Sequence, residues 1–414
     1  MGLSFRNTGR CDFACLIKSG GICHRFLFYA LHGKSLLVQL HRGVLSMNKA
    51  QGALPRQKIR EMIDSGMITS VTREELINPA SLDLTLSEEA FRVTGVFLPR
   101  PGEKVRDLIS HLNVSVHDLS NPMECGVLYL VRLEQYFHLP TMVYSYCNPK
   151  STTGRNDLHV RVMADGVPSF DAMAPGGFCG EAWVLITPKS FPVILPAGEA
   201  VCQARFFFSD TRLSEFELQN QFARHQLLYH LDGRPYEYSE MQVRYNDGSI
   251  VLTLDLSQEV VGYVCRGSGS ILDFSKGKAS HDSADFFEPI YRPKNGYLHL
   301  RQGSFLILST AEAIHVPPEF ACEMRDMDSR NGDFRAHYAG YIDCGWGHGK
   351  DGEGKGRPLT LEVRPFEDLF VRHGQPIARI RFEQMAEMPD QHYDSKPVSN
   401  YTVQSGPKLS KHFK

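Results

Sequence analysis

A hydroxyl run flanked by cations stands at Asn148-Pro149-Lys150-Ser151-Thr152-Thr153-Gly154-Arg155. Hydroxyls and exposed backbone N–H groups suit phosphate oxygens, a glycine permits close approach, and an arginine can bind a phosphate bidentately. An ordinary polar turn uses the same residues, and the run alone does not separate the two readings. Far downstream lie Ala339-Gly340-Tyr341-Ile342-Asp343-Cys344-Gly345-Trp346, a glycine-rich stretch to Gly356, and Leu359-Thr360-Leu361-Glu362-Val363. Glu362 interrupts an apolar strand pattern, where burial can lift a carboxylate's pKa toward the range useful for proton transfer. Asp343 precedes a tight turn and could orient a sugar hydroxyl. A turn aspartate and a solvent-facing strand glutamate are the plainer alternatives.

The elements around these residues read as mostly β. Pro55 to Ser65 carries Ile59, Met62 and Ile63 at helical spacing, with Gly66 as a stop. Leu82, Leu84 and Leu86 then alternate with Asp83 and Thr85, which is strand period. Further strands are expected at Val127 to Leu133, Val184 to Ile186 and Val201 to Phe208, punctuated by glycine and proline as in a sandwich or barrel. A charged amphipathic stretch from Leu213 to His225 and the turn Asp232-Gly233-Arg234-Pro235 mark a boundary, after which the strand pattern begins again.

The two halves repeat one another. Leu82 to Ser87 answers Leu252 to Ser257, His138-Leu139-Pro140 answers His315-Val316-Pro317, and Arg205-Phe206 answers Arg381-Phe382, at offsets of 170, 177 and 176. Three matches in order at nearly constant offset point to an internal duplication. The copies differ where chemistry is concerned. Against the loop at 148–155 the second half has Asp328-Ser329-Arg330-Asn331-Gly332-Asp333, with aspartates in place of Lys150 and Arg155, an anionic loop that would repel a triphosphate. Against Glu362 the first half, in Gly180-Glu181-Ala182-Trp183-Val184-Leu185-Ile186, has Leu185.

Composition bounds the partners. The 414 residues suit two domains of roughly 170 to 200 residues. Hydrophobic residues at 42% are enough for real cores, and 35 glycines with 23 prolines favour many turns. Forty-five Lys and Arg against 47 Asp and Glu argue against a general nucleic-acid binder, which needs a phosphate-neutralising excess. Ten cysteines without a CxxC pair write no zinc site, and they are expected as reduced thiols in a cytoplasmic setting. Residues 1–46 hold a single acidic residue, Asp12, and an apolar run from Phe26 to Leu31 that is far too short for the ~20 residues of a membrane span. They read as a poorly structured extension. The expected division is 1–46, a β domain with the phosphate loop at 47–210, a helical linker at 211–235, and a β domain with the glutamate and a closing tail at 236–414.

Five pieces in order resemble one family. They are Pro79-Ala80-Ser81-Leu82-Asp83-Leu84, the Lys150–Arg155 loop, Asp343 to Trp346, Leu361-Glu362-Val363, and a tail with Tyr393, Asn400-Tyr401, Gln404 and Leu409-Ser410-Lys411. Over about residues 50 to 414 the series resembles deoxycytidine triphosphate deaminases of the long two-domain bacterial form, in the dUTPase-like superfamily. The resemblance implies a mainly β fold of two tandem dUTPase-like barrels with short helices. It implies hydrolytic conversion of dCTP to dUTP and ammonia in pyrimidine deoxynucleotide biosynthesis, without zinc; the sequence lacks the HxE…PCxxC signature of zinc deaminases.

What the resemblance implies for residues is as follows. Ser151 and Arg155, with Lys150, Thr152 and Gly154, bind the triphosphate, and Glu362 is the general base toward water. Asp343 holds the deoxyribose end beside the backbone of Thr360 and Leu361. Tyr393 and Gln404 belong to the tail that closes over the nucleotide, and Asn400 replaces a lysine there. Magnesium accompanies the triphosphate with no protein ligand assigned, dTTP is a candidate inhibitor, and a homo-oligomer is expected. Because each family site lies between neighbouring barrels, the complementary losses imply one composite site, Ser151 and Arg155 facing Asp343 and Glu362, within one chain or across two. Two other functions stay open: a dUTP pyrophosphatase, alone or coupled to deamination, and a non-catalytic nucleotide-binding protein.

Overall fold

The computed structural model describes residues 15–19, 22–31, 34–38 and 51–414, apart from 242–243, 268, 337–339 and 397–403. Residues 1–48 form a unit of their own, in which Cys15–Ser19, Ile22–Leu31 and Lys34–Val38 pair as a three-stranded antiparallel sheet. Residues 49–414 form the second unit.

That second unit opens on helix α1, Arg56–Asp64, which begins immediately after Pro55 and buries Ile59 and Met62, the helical stripe read in the sequence. The first half is built on β1 (Leu82–Val93), β2 (Leu128–His138), β3 (Tyr144–Pro149), the short helix α2 (Ser151–Gly154), β4 (Leu158–Ala164), β5 (Cys179–Pro188) and β6 (Ala200–Phe207). They belong to one nine-stranded sheet whose order runs β3-β6-β1-β2-β5-β4, all antiparallel. Helix α3, Glu215–His225, follows; Ser214 and Glu217 close a capping box at its start, and Leu218 and Phe222 are its buried positions.

The second half repeats the plan with β7 (Ser249–Thr253), β8 (Leu306–Ile314), β9 (Phe320–Arg325), β10 (Arg357–Pro365) and β11 (Pro376–Gln384). Here β7 and β9 flank β11, and β8 pairs with β10. The register preserves the duplication to the residue. Leu185 on β5 faces Leu130 on β2, and Glu362 on β10 faces Ile307 on β8. The two barrels therefore present leucine and glutamate at one and the same point of the fold.

Each half has its own apolar core, but the first core does not stop at the boundary. It takes in Leu272, Phe274, Phe286, Phe287, Phe305, Ile307 and Phe413 from the second half. Apolar side chains from both halves thus share one core beside the cleft, and burying them favours the two barrels staying together.

Candidate active site

One cavity of about 410 Å³ opens between the halves of this unit, within the size range of small-molecule sites. Lys150, Ser151, Thr152 and Arg155 line it from the first half; Asp343, Thr360, Glu362 and Tyr393 line it from the second. The residues that the duplication divided between two copies thus meet around one space within one chain.

The loop is held from both sides. Arg155 is only 3% exposed; its Nε donates to Ser151 Oγ (3.1 Å), Nη2 to Gln404 Oε1 (3.1 Å) and Nη1 to the Lys408 carbonyl (3.0 Å). Gln404 in turn donates to the Pro358 carbonyl on β10 (2.8 Å), so a tail residue ties the loop of one barrel to the glutamate strand of the other. Lys150 forms an ion pair with Asp83 of β1. Burial works against its charge, but the neighbouring Asp83 and Glu199 carboxylates outweigh it and raise the ammonium pKa.

On the opposite wall Glu362 is 2% exposed, a buried strand glutamate rather than a solvent-facing one. Asp343 begins a turn in which the Trp346 N–H donates to its carbonyl (3.2 Å). Gly345 has φ +83°, and a Cβ there would stand 2.5 Å from His392 Nδ1, so the tail can lie on this turn only because the residue is glycine. The tail's Tyr393 N–H donates to the Cys344 carbonyl (2.8 Å), and its ring packs against Trp346 at 5.1 Å. Burial pushes the Asp343 carboxyl up to about 6, with Lys396 opposing and Asp83 adding to the rise. Asp343 Oδ1 and Thr360 Oγ1 are buried without a hydrogen-bond partner among the described residues. Such atoms are rare in folded chains, and a bound polar ligand would satisfy them.

Not every residue expected at the site lines the cavity. The Leu361 side chain is in the second core, fully buried, and offers the site only its backbone. Gly154 is buried within α2, and Gln404 acts on the wall from behind, through Arg155. Asn400 lies outside the described residues. Other lining residues went unassigned in the sequence: Asn78, Gln203, Lys396 and Lys411. Lys396 donates to Asn78 (2.8 Å), Asn78 to Asp83 (2.8 Å), and Asp83 meets Lys150, a polar chain from the tail to the loop. Asn78 stands directly before the Pro79–Leu84 motif, and its place there was the available signal.

Two duplicated β-barrels around one nucleotide-sized cavity, with cations on one wall and buried carboxylates on the other, define a class of nucleotide-acting β protein. Residues 50–210 match the family model of the 2'-deoxycytidine 5'-triphosphate deaminase N-terminal domain, and residues 224–413 that of its C-terminal domain. Among solved structures, the 2'-deoxycytidine 5'-triphosphate deaminase from Agrobacterium tumefaciens is 32% identical over 83% of this chain and 100% of that chain, with a TM-score of 0.74. No curated protein matches. The chain belongs to the dCTP deaminase family.

Proposed function

We propose that this enzyme deaminates dCTP to dUTP and ammonia at the cavity between its barrels, with Glu362 as the base. The observation that carries the residue assignment is the convergence of Ser151 and Arg155 with Asp343 and Glu362 around one space. In this reading Ser151 and Arg155, with Lys150, Thr152 and the close backbone at Gly154, take the triphosphate through charge-assisted hydrogen bonds. Asp343 orients the deoxyribose next to the Thr360 and Leu361 backbone, and Tyr393 and Gln404 hold the tail over the site. Asn400 leaves one phosphate contact without a cation.

Glu362 accepts a proton from water as the oxygen adds to cytosine C4. It delivers that proton to ring N3, the proton of the new C4 hydroxyl passes by way of the carboxylate to the amino nitrogen, and as the C4–N bond breaks ammonia departs and C4 becomes a carbonyl. Magnesium would arrive on the nucleotide and neutralise phosphate charge. Lining carboxylates such as Glu199 are suited to receive its water shell.

We extend the reading to a homo-oligomer in the cytoplasm, with dTTP as a competing ligand. No described helix is long and apolar enough to cross a membrane. Incubation with dCTP and separately with dUTP, following ammonia and pyrophosphate, is the test. Ammonia from dCTP without pyrophosphate from dUTP supports the proposal; pyrophosphate release alone would overturn it.

A further inference from the structure

Five cationic side chains line the cavity: Arg73, Lys150, Arg155, Lys396 and Lys411. Four have committed head groups. Arg73 donates to the Gly198 carbonyl, Lys150 meets Asp83, Arg155 has Ser151, Gln404 and the Lys408 carbonyl, and Lys396 has Asn78. The ammonium of Lys411 has no hydrogen bond or ion pair among the described residues. Half-buried, it feels Glu199, Lys150, Lys278 and Asp83, and burial foremost lowers its pKa. Arg155 donates to the Lys408 carbonyl (3.0 Å) and Asn156 to the Ser410 hydroxyl (3.2 Å), so the chain reaches Lys411 beside the loop, and both Lys150 and Lys411 line the cavity there.

The backbone that carries Lys411 is fixed. Its carbonyl accepts from Ala279 N–H (2.9 Å), Asn156 donates to the Ser410 hydroxyl (3.2 Å), and Phe413 packs against Phe286 and Phe287 at 5.2 and 5.4 Å. A partly desolvated cation on a rigid support, without a counter-charge of its own, is an unfavourable arrangement in the free protein. An anion entering the cavity relieves it.

We propose that Lys411 is a substrate-binding residue whose ammonium contacts the triphosphate of the bound deoxynucleotide. The inference rests on the loop at 150–155 being the phosphate end of the site. It gives the tail a second task besides covering the site, the delivery of a cation from the last four residues of the chain.

The test compares Lys411→Met, Lys411→Arg and Arg155→Ala in the full-length protein, with steady-state kinetics on dCTP and calorimetric binding of dCTP and dCMP. Lys411→Met should raise the dCTP KM about tenfold with kcat within about twofold. Its affinity for dCMP should change much less, so the preference for the triphosphate narrows, and Lys411→Arg should restore most of it. A purely structural role would weaken both nucleotides alike and is thereby excluded or established. Melting temperatures check folding, and if Lys411→Met melts early, Lys411→Gln carries the same comparison. A Lys411→Met KM within twofold of the parent, with Arg155→Ala strongly impaired, overturns the role of Lys411 alone. If Arg155→Ala is also silent, the loop is not the phosphate end and both readings fall.

Discussion

Glu362 and Asp343 face the same cavity from adjoining parts of the second barrel, yet they invite different experiments. Glu362→Gln keeps the shape of a side chain only 2% exposed and removes its ability to take a proton. Ammonia release should fall by about two to four orders of magnitude while calorimetry still records dCTP binding. Activity within threefold of the parent would remove Glu362 from the chemistry. Asp343 is open to a pH test, because burial raises its folded pKa from 3.8 to about 6. The folded state then holds this proton more tightly than the unfolded chain. Its contribution to stability is full below the unfolded value, declines as pH rises from about 4 to about 6, and is constant above. Asp343→Asn should remove that decline, leaving the free protein more stable at neutral pH by on the order of 3 kcal/mol. Melting curves of both proteins across pH 3.5–8 measure the difference, and parallel curves would refute the buried-acid account. Both carboxylates were legible in the sequence because each breaks an apolar or glycine-rich pattern. The contact between Lys396 and Asn78 was not: they meet across 318 positions of chain, and although Asn78 adjoins a motif, no local pattern encodes a contact that only the folded tail makes.

At the level of elements, the loops at 150–155 and 328–333 are copies with opposite fates. Arg155 is buried against the tail, whereas Arg330 projects into solvent with 81% of its side chain exposed, paired to Asp328 of its own turn. A hydrogen bond to a charged group is worth roughly 1.5 to 3 kcal/mol, so Arg155→Ala should weaken dCTP at least tenfold. Arg330→Ala should change it by less than twofold. The dCTP dependence of deamination for the two variants is the measurement, and the reverse order would mean that the second barrel holds phosphate by itself. The strand pattern was legible in existence more than in extent. The apolar run read as Val127 to Leu133 continues in the structure to His138, through Glu134 and Gln135. Gln135 is 1% exposed and accepts from the Thr85 N–H (3.0 Å) while donating to Thr85 Oγ1 (2.8 Å). A polar side chain bonded across the sheet looks, in sequence, like the end of a strand.

Across the whole molecule, the weld between barrels is partly ionic. Arg205 on β6 is 1% exposed and reaches Glu323 on β9 (2.8 Å) and Glu383 on β11 (2.5 Å), both in the other half. Removing one partner of a buried ion cluster typically costs about 3–5 kcal/mol, because the remaining charges stay buried. Arg205→Met should show a loss of that size in denaturant unfolding, together with impaired dCTP turnover, since the cavity lies on the same seam. Unchanged stability would show that the apolar contacts alone hold the halves together. The duplication was legible as a repeat at constant offset; the shared core was not, because Phe274, Phe286 and Phe413 lie outside every repeated motif.

A single polypeptide that surrounds the cavity with its own loop and its own glutamate also has a genetic signature. Where a site is shared between identical chains, two different dead alleles can rescue each other, since some mixed assemblies reunite an intact loop with an intact glutamate. Here an Arg155→Ala chain and a Glu362→Gln chain each spoil their own cavity. The remaining combinations would join Asp333 to Leu185, which restores nothing. Co-expressing the two variants should give no more deamination than the sum of the two alone, and the lesions would behave as a single complementation group however many chains assemble.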